Sequence, residues 1–220
     1  MYLTAGQYKG HKIQVPDNVK PTLSKVRESV FNILLQYDLS GNKFLNMFSG
    51  SAIMGLEAIS RGYSSVELEI SPKAGAIIKN NYKNLKLTPN LIICDCLKYQ
   101  TNEKYDIIYA DPPWDMDYKP IILKANELLN DNGVIILEYD KTKNIDIQSI
   151  LDELNIDINL VKSKKYGRCL LAILRKAYES ETSSDWQPFC FSAALISPSN
   201  NGCGFCGRDL NSGWNWQAIK

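Results

Sequence analysis

The sequence predicts an α/β fold: a Rossmann-like sheet of seven strands, mostly parallel, that closes on an antiparallel hairpin. Three observations carry this. From Lys43 to Leu174 short β-rich runs alternate with longer amphipathic ones, the pattern of parallel strands joined by crossover helices. The stretch Asn46-Met-Phe-Ser-Gly-Ser-Ala52 separates the first such run from the first helical one, as a glycine turn at the binding end of an open sheet does. The last two runs are joined only by Ser163 to Arg168, too short for a crossover, so they pair antiparallel.

Taken in order, Leu3 to Val15 alternates around Lys9-Gly10 and predicts a β-hairpin. Thr22-Leu-Ser-Lys then opens a helix whose apolar positions Leu23, Val26, Val30, Ile33 and Leu34 recur at helical spacing. Lys25 and Arg27 fall off that stripe and are expected to face a ligand. The predicted strands are Lys43 to Met47, Ser65 to Leu68, Asn90 to Cys94, Tyr105 to Ala110, Val134 to Glu138, Ile156 to Lys162 and Cys169 to Leu174. Helices are predicted over Met54 to Arg61, Pro72 to Asn84, Tyr118 to Leu129 and about Asp146 to Leu154; proline suits a first helical turn. Three parts result: a basic hairpin and helix (1–40), the sheet domain (41–176) and a tail (177–220) rich in Ser, Asn, Gly and Trp, expected to be irregular or disordered.

A chain of 220 residues with 45% hydrophobic residues can bury a substantial core. No window approaches the roughly 18 apolar residues of a membrane span, and the N-terminus lacks the apolar core of a signal peptide. A cytoplasmic protein without membrane contact is the expectation. Net charge is +1, but Lys9, Lys12, Lys20, Lys25 and Arg27 face only Asp17 in the first 27 residues. Such a patch suits a phosphate-bearing partner. Cys94, Cys96 and Cys169 sit in or beside apolar runs and read as small buried hydrophobes. Cys203-Gly-Phe-Cys206 has no second CxxC or CxxH to complete a four-ligand site, so no metal is assigned.

The most specific motif is Tyr105-Asp-Ile-Ile-Tyr-Ala-Asp111-Pro112-Pro113-Trp114, an apolar strand ending in Asp-Pro-Pro-aromatic. The carboxyl ends of strands are where open α/β sheets bind ligands. The prolines fix the backbone and remove N–H groups, leaving carbonyls that only accept. With Asp111 they form a set of acceptors suited to an exocyclic amine, and Trp114 offers a face for a base, worth about 1–3 kcal/mol.

The Asp-Pro-Pro-Trp motif resembles the signature of S-adenosylmethionine-dependent methyltransferases that modify exocyclic amines of bases. Leu3 to Pro16, Lys20 to Leu34, Phe48 to Gly62 and Lys165-Tyr166-Gly167 look like the RsmD family, over residues 1 to 176. The resemblance implies a class I methyltransferase sheet and methylation of the N2 amine of a guanine in bacterial small-subunit (16S) ribosomal RNA. It implies a monomer acting on that RNA or on the assembling subunit. Asp111, Pro112, Pro113 and Trp114 would form the catalytic turn. Asn46, Phe48, Gly50 and Ser51 would line the cofactor's methionine part. Glu67, or as second choice Glu69, would accept the ribose hydroxyls, and Asp95 would meet the adenine. Lys9, Lys12, Lys25 and Arg27 would grip RNA. Two alternatives stay open: an adenine-N6 methyltransferase, and an RNA-binding or assembly module with weakened cofactor binding. The second arises because Asn46 stands where the family has Asp, and Ala52 where it has Gly. Loss of the charge at 46 and crowding by a methyl at 52 are expected to weaken cofactor binding by about 1–3 kcal/mol.

Overall fold

In the computed structural model, which describes residues 1–17 and 22–176, seven strands form a single sheet. They are β1 (Lys43–Asn46), β2 (Ser64–Glu69), β3 (Leu91–Ile93), β4 (Tyr105–Ala110), β5 (Leu129–Asp140), β6 (Ile158–Tyr166) and β7 (Cys169–Lys176), in spatial order β3-β2-β1-β4-β5-β7-β6. The first five run parallel, and β7 lies antiparallel to both β5 and β6. The closing hairpin is as expected. The tail 177–220, with Cys203 and Cys206, lies outside the described residues.

Alternation along each strand sorts side chains into two apolar layers. Phe44, Ile107, Tyr109, Val134 and Ile136 join the layer that packs against α1 (Ser24–Leu34), α2 (Ile53–Ser60) and α3 (Pro72–Asn84). Leu45, Ile108, Ala110, Ile135 and Leu137 join the other, covered by α4 (Tyr118–Leu128) and α5 (Ile147–Leu154). Local chemistry starts the helices. Ser71 caps α3 ahead of Pro72, Asp117 caps α4 and Asp146 caps α5, each accepting a backbone N–H.

Two sequence expectations change. The N-terminal hairpin is short, an antiparallel bridge from Tyr2 to Lys12 flanked by bonds from Leu3 N to the His11 carbonyl at 3.1 Å and from Ile13 N to the Met1 carbonyl at 2.7 Å, because the backbone between them turns onto the end of α2. There Gln7 N donates to the Ser60 carbonyl at 2.7 Å and Tyr8 N to Ser60 Oγ at 2.9 Å. Strand β5 starts at Leu129, which pairs with Tyr105 across a register shift; the turn-like Asn130 to Gly133 concealed it. Leu3, Ile13, Val26 and Val30 share a core cluster with Phe44 and Ile107.

Arg27 is the sharpest correction. It is 2% exposed and faces inward, so it cannot grip RNA. Its buried neighbours on α1 include Phe31, which the sequence stripe omitted; with Phe31 counted, Arg27 lies one turn away on the same inward face. The Arg27 Nε donates to Glu57 Oε1 at 3.0 Å, Nη1 to the Thr22 carbonyl at 2.5 Å and Nη2 to the Tyr2 carbonyl at 2.8 Å. Glu57 is fully buried and also accepts from Arg61 and from Thr4 N and Oγ1. A carboxylate on α2 therefore ties down both α1 and the N-terminal segment.

Candidate active site

Strand order reverses between β1 and β4, so the chain leaving each passes to opposite faces and a crevice opens at their carboxyl ends. A cavity of about 830 Å³ lies there, within the range of small-molecule sites. Its floor is the turn after β1. Met47 N donates to the Tyr109 carbonyl at 2.9 Å, and Ser49 N to the Leu68 carbonyl at 3.0 Å, fixing that turn to both neighbouring strands. Phe48, Gly50 and Ser51 line the cavity as expected. Gly50 takes φ +56°, and its N–H donates to Glu69 Oε2 at 2.7 Å.

Ala52 departs from expectation. Fully buried, it is not part of the cavity wall, so its methyl does not crowd a ligand. The cost of alanine falls on the backbone: its φ is +59°, a left-handed conformation that costs a non-glycine residue about 1–2 kcal/mol.

The two acidic candidates on β2 separate. Glu67 is fully buried and absent from the cavity wall, so it does not reach ribose hydroxyls. Residues two apart share a face, but only the later one clears the sheet's edge. Glu69 lines the cavity, accepting from Gly50 N and, at 2.8 Å, from Ser71 N. Its carboxylate keeps unused lone pairs for two hydroxyls. Glu67 accepts instead from Ser65 Oγ at 2.7 Å, Tyr82 Oη at 2.8 Å and Asn46 Nδ2 at 2.8 Å. Burial pushes its carboxyl above the usual range, against the hydrogen bonds that hold it. Gly55 of α2 presses against it; a Cβ there would sit 1.6 Å from Glu67 Oε1.

Asn46 lines the cavity at 1% exposure, and its Oδ1 is buried without a hydrogen-bond partner among the described residues. An orphaned acceptor beside a left-handed glycine and a half-engaged carboxylate fits a ligand with an ammonium, a short backbone-like stem and a diol. Asp95 lines the far side, one oxygen capping the turn Cys96–Lys98 through Leu97 N at 3.0 Å. It is both a cap and a wall residue, beside Cys94 and Cys96.

Asp111, Pro112, Pro113 and Trp114, in the loop after β4, also line the wall. Burial first, then the Asp111 carboxylate, push the Tyr118 phenol up to about 12. Sequence reasoning missed Glu138. It is buried on the wall and accepts from Tyr109 Oη at 2.7 Å. Its place at the carboxyl end of a central strand was the available signal. Also missed was Arg168, whose guanidinium covers Trp114 at 4.9 Å from the ring centroid. Lys25 is exposed beside the wall residues Leu23 and Val26, whereas the turn bearing Lys9 packs at Ser60, the end of α2 away from the cavity.

The fold and this site define a class I S-adenosylmethionine-dependent methyltransferase. A solved S-adenosylmethionine-dependent methyltransferase from Clostridium acetobutylicum shares the fold at TM-score 0.62 and 11% identity, over 72% of this chain and 94% of that one. The Escherichia coli protein yhhF superposes at TM-score 0.67 and 24% identity, over 81% of this chain and 99% of that one. Residues 1–175 match the family described as Conserved hypothetical protein 95, and the chain belongs to that family, the RsmD family. A relative in Buchnera aphidicola (subsp. Acyrthosiphon pisum), 34% identical over 66% of this chain and 81% of its own length, is named ribosomal RNA small subunit methyltransferase D.

Proposed function

We propose that this chain transfers a methyl group from S-adenosylmethionine to the exocyclic N2 amine of a guanine in small-subunit ribosomal RNA. The observation that carries it is the Asp111-Pro-Pro-Trp114 turn lining one cavity together with Glu69 and Asn46. When bound, the cofactor supplies a methyl on a sulfonium, already a good electrophile. Asn46 would take its ammonium, Glu69 its ribose and Asp95 its adenine edge.

The protein's own contribution is positional. A guanine amine is a poor nucleophile because its lone pair is delocalised into the ring. Asp111 and the Pro112 carbonyl accept its N–H bonds and turn that pair toward the reacting carbon, and such orientation supplies several kcal/mol. Asp111 need not remove a proton beforehand, because the methylated amine sheds one readily. The target base must leave its stack to enter. Trp114, under the Arg168 guanidinium, stands on the cavity wall where an entering base would meet it.

The RNA grip extends beyond the residues read from sequence. Lys141, Lys143, Lys164 and Lys165 gather near the cavity end of β5 and β6, next to Arg168. Lys141 beside Lys165 holds that ammonium below its ordinary value. None of these four lysines makes an ion pair among the described residues. Unneutralised neighbouring cations suit phosphates. With exposed Lys25 they flank the cavity mouth; Lys9 and Lys12 would contact RNA only beyond it.

Mapping of tritiated methyl incorporation on ribosomal RNA from a deletion strain tests the reading. Label in a single small-subunit guanine is expected. Label in adenine would move the substrate, and absence of label with intact cofactor binding would support the assembly-module alternative.

A further inference from the structure

Glu67 is an acidic residue beside the cofactor seat that the proposed reaction does not use. It is wholly shielded from solvent, at 0% exposure. From β1 it meets Asn46, from the following turn Ser49, from α3 Tyr82, from its own strand Ser65, and from α2 only the bare Cα of Gly55. None of these carries charge near neutral pH, and no cation pairs with it among the described residues. Such a group normally has a reason to be ionisable, because a buried carboxylate without a cation is costly.

Its bond to Asn46 supplies one. An asparagine amide has two chemically opposite ends that differ little in shape, so its orientation is decided by whichever neighbour is more demanding. An ionised Glu67 only accepts. It therefore draws in Nδ2, at 2.8 Å, and leaves Oδ1 as the orphaned acceptor of a cavity residue. A protonated Glu67 can donate instead, which permits the reverse orientation and turns an N–H₂ outward.

We propose that Glu67 is a positioning residue for the cofactor's ammonium, holding the Asn46 amide with its carbonyl end toward the cavity and lending that carbonyl its negative charge through the shared hydrogen bond. The negative charge absent from position 46 thus sits one residue deeper. The inference rests on the cofactor seat described above. Its pH consequence follows from burial, which raises Glu67's titration above the ordinary carboxylate value: affinity for an ammonium-bearing ligand is full above that titration and falls as pH drops through it.

Calorimetric titration of the full chain with S-adenosylhomocysteine, which keeps the ammonium, and with 5′-methylthioadenosine, which lacks the amino-acid part, tests this. Glu67→Gln is expected to weaken the first by at least about fivefold while changing the second by less than about twofold. In the wild type, only the first should lose affinity on acidification. Asn46→Asp alone should not tighten binding, since two carboxylates 2.8 Å apart in a dry site must share a proton. Asn46→Asp with Glu67→Gln should restore affinity. Equal losses for both ligands, or a pH-independent selectivity in the wild type, overturn the relay alone. Failure of the wild type to bind either ligand overturns the cofactor seat and the relay with it.

Discussion

Arg168 lies over the ring of Trp114 while its Nη2 donates to the buried carboxylate of Asp140 at 2.8 Å. One residue of the two-residue turn between β6 and β7 thereby links the end of β5 to the loop after β4. The backbone N–H of Thr142 first, and Arg168 after it, hold the Asp140 carboxyl down to about 2, so the link persists throughout the neutral range. Arg168→Ala should release Trp114, raising KM for RNA with cofactor affinity unchanged. Tryptophan emission, read against a Trp114→Phe control, should shift to longer wavelength, and an unshifted spectrum would contradict the stack.

Asp111→Ala is expected to lower methyl transfer by about 10³-fold, a loss of the size that misplacing a reacting group brings. Cofactor affinity should stay nearly unchanged because the proposed cofactor contacts fall on Asn46, Glu69 and Asp95. A large loss of cofactor binding in calorimetry would place Asp111 in the wrong role.

Arg27→Ala leaves Glu57 buried with one guanidinium fewer and frees two carbonyls that Arg27 satisfies. Breaking a buried pair costs about 3–5 kcal/mol; Arg61 remains on Glu57, so the lower end is expected. Urea denaturation reads it directly, and a loss near zero would mean the ion pair contributes nothing.

Changing Lys164 and Lys165 together to alanine should weaken RNA binding and flatten its dependence on salt. Removing two phosphate contacts to a single strand lowers the logarithmic slope by about 1.4. An unaltered slope would exclude this flank from the RNA path and return it to the ordinary use of lysine on an exposed edge strand.

Glu67 titrates higher in the folded chain than in the unfolded one. A group whose folded pKa is raised stabilises below its unfolded value, about 4.3, and loses that contribution as pH rises through the folded value. Melting temperatures of wild type and Glu67→Gln measured across pH should therefore diverge on the alkaline side, with the wild type falling behind. A gap independent of pH would show that Glu67 does not change its ionisation on unfolding.

The sheet was legible because strand and helix periods differ and because Asp111-Pro-Pro-Trp ends an apolar strand. Burial depth was not. Glu67 and Glu69 have the same chemistry and parity, and only the length of β2 decides which one clears the sheet. Arg27 was misread because a cation on a helix is ordinarily exposed, and its partner Glu57 lies 30 residues away. Glu138 and Arg168 were overlooked for a related reason: their roles depend on β5 and β7 lying beside the cavity, which is a property of strand order rather than of local pattern.

The contact of Gly55 with Glu67 ties two positions of the chain into a single heritable unit. A side chain at 55 is admissible only after 67 shrinks, and a shortened 67 would leave Asn46 unoriented. Mutational drift at these sites must therefore proceed in a fixed sequence, with 46 acquiring its own carboxylate before 67 is lost and 55 freed last. Among descendants and relatives of this chain, an acidic residue at 67 should accompany an amide at 46 and glycine at 55.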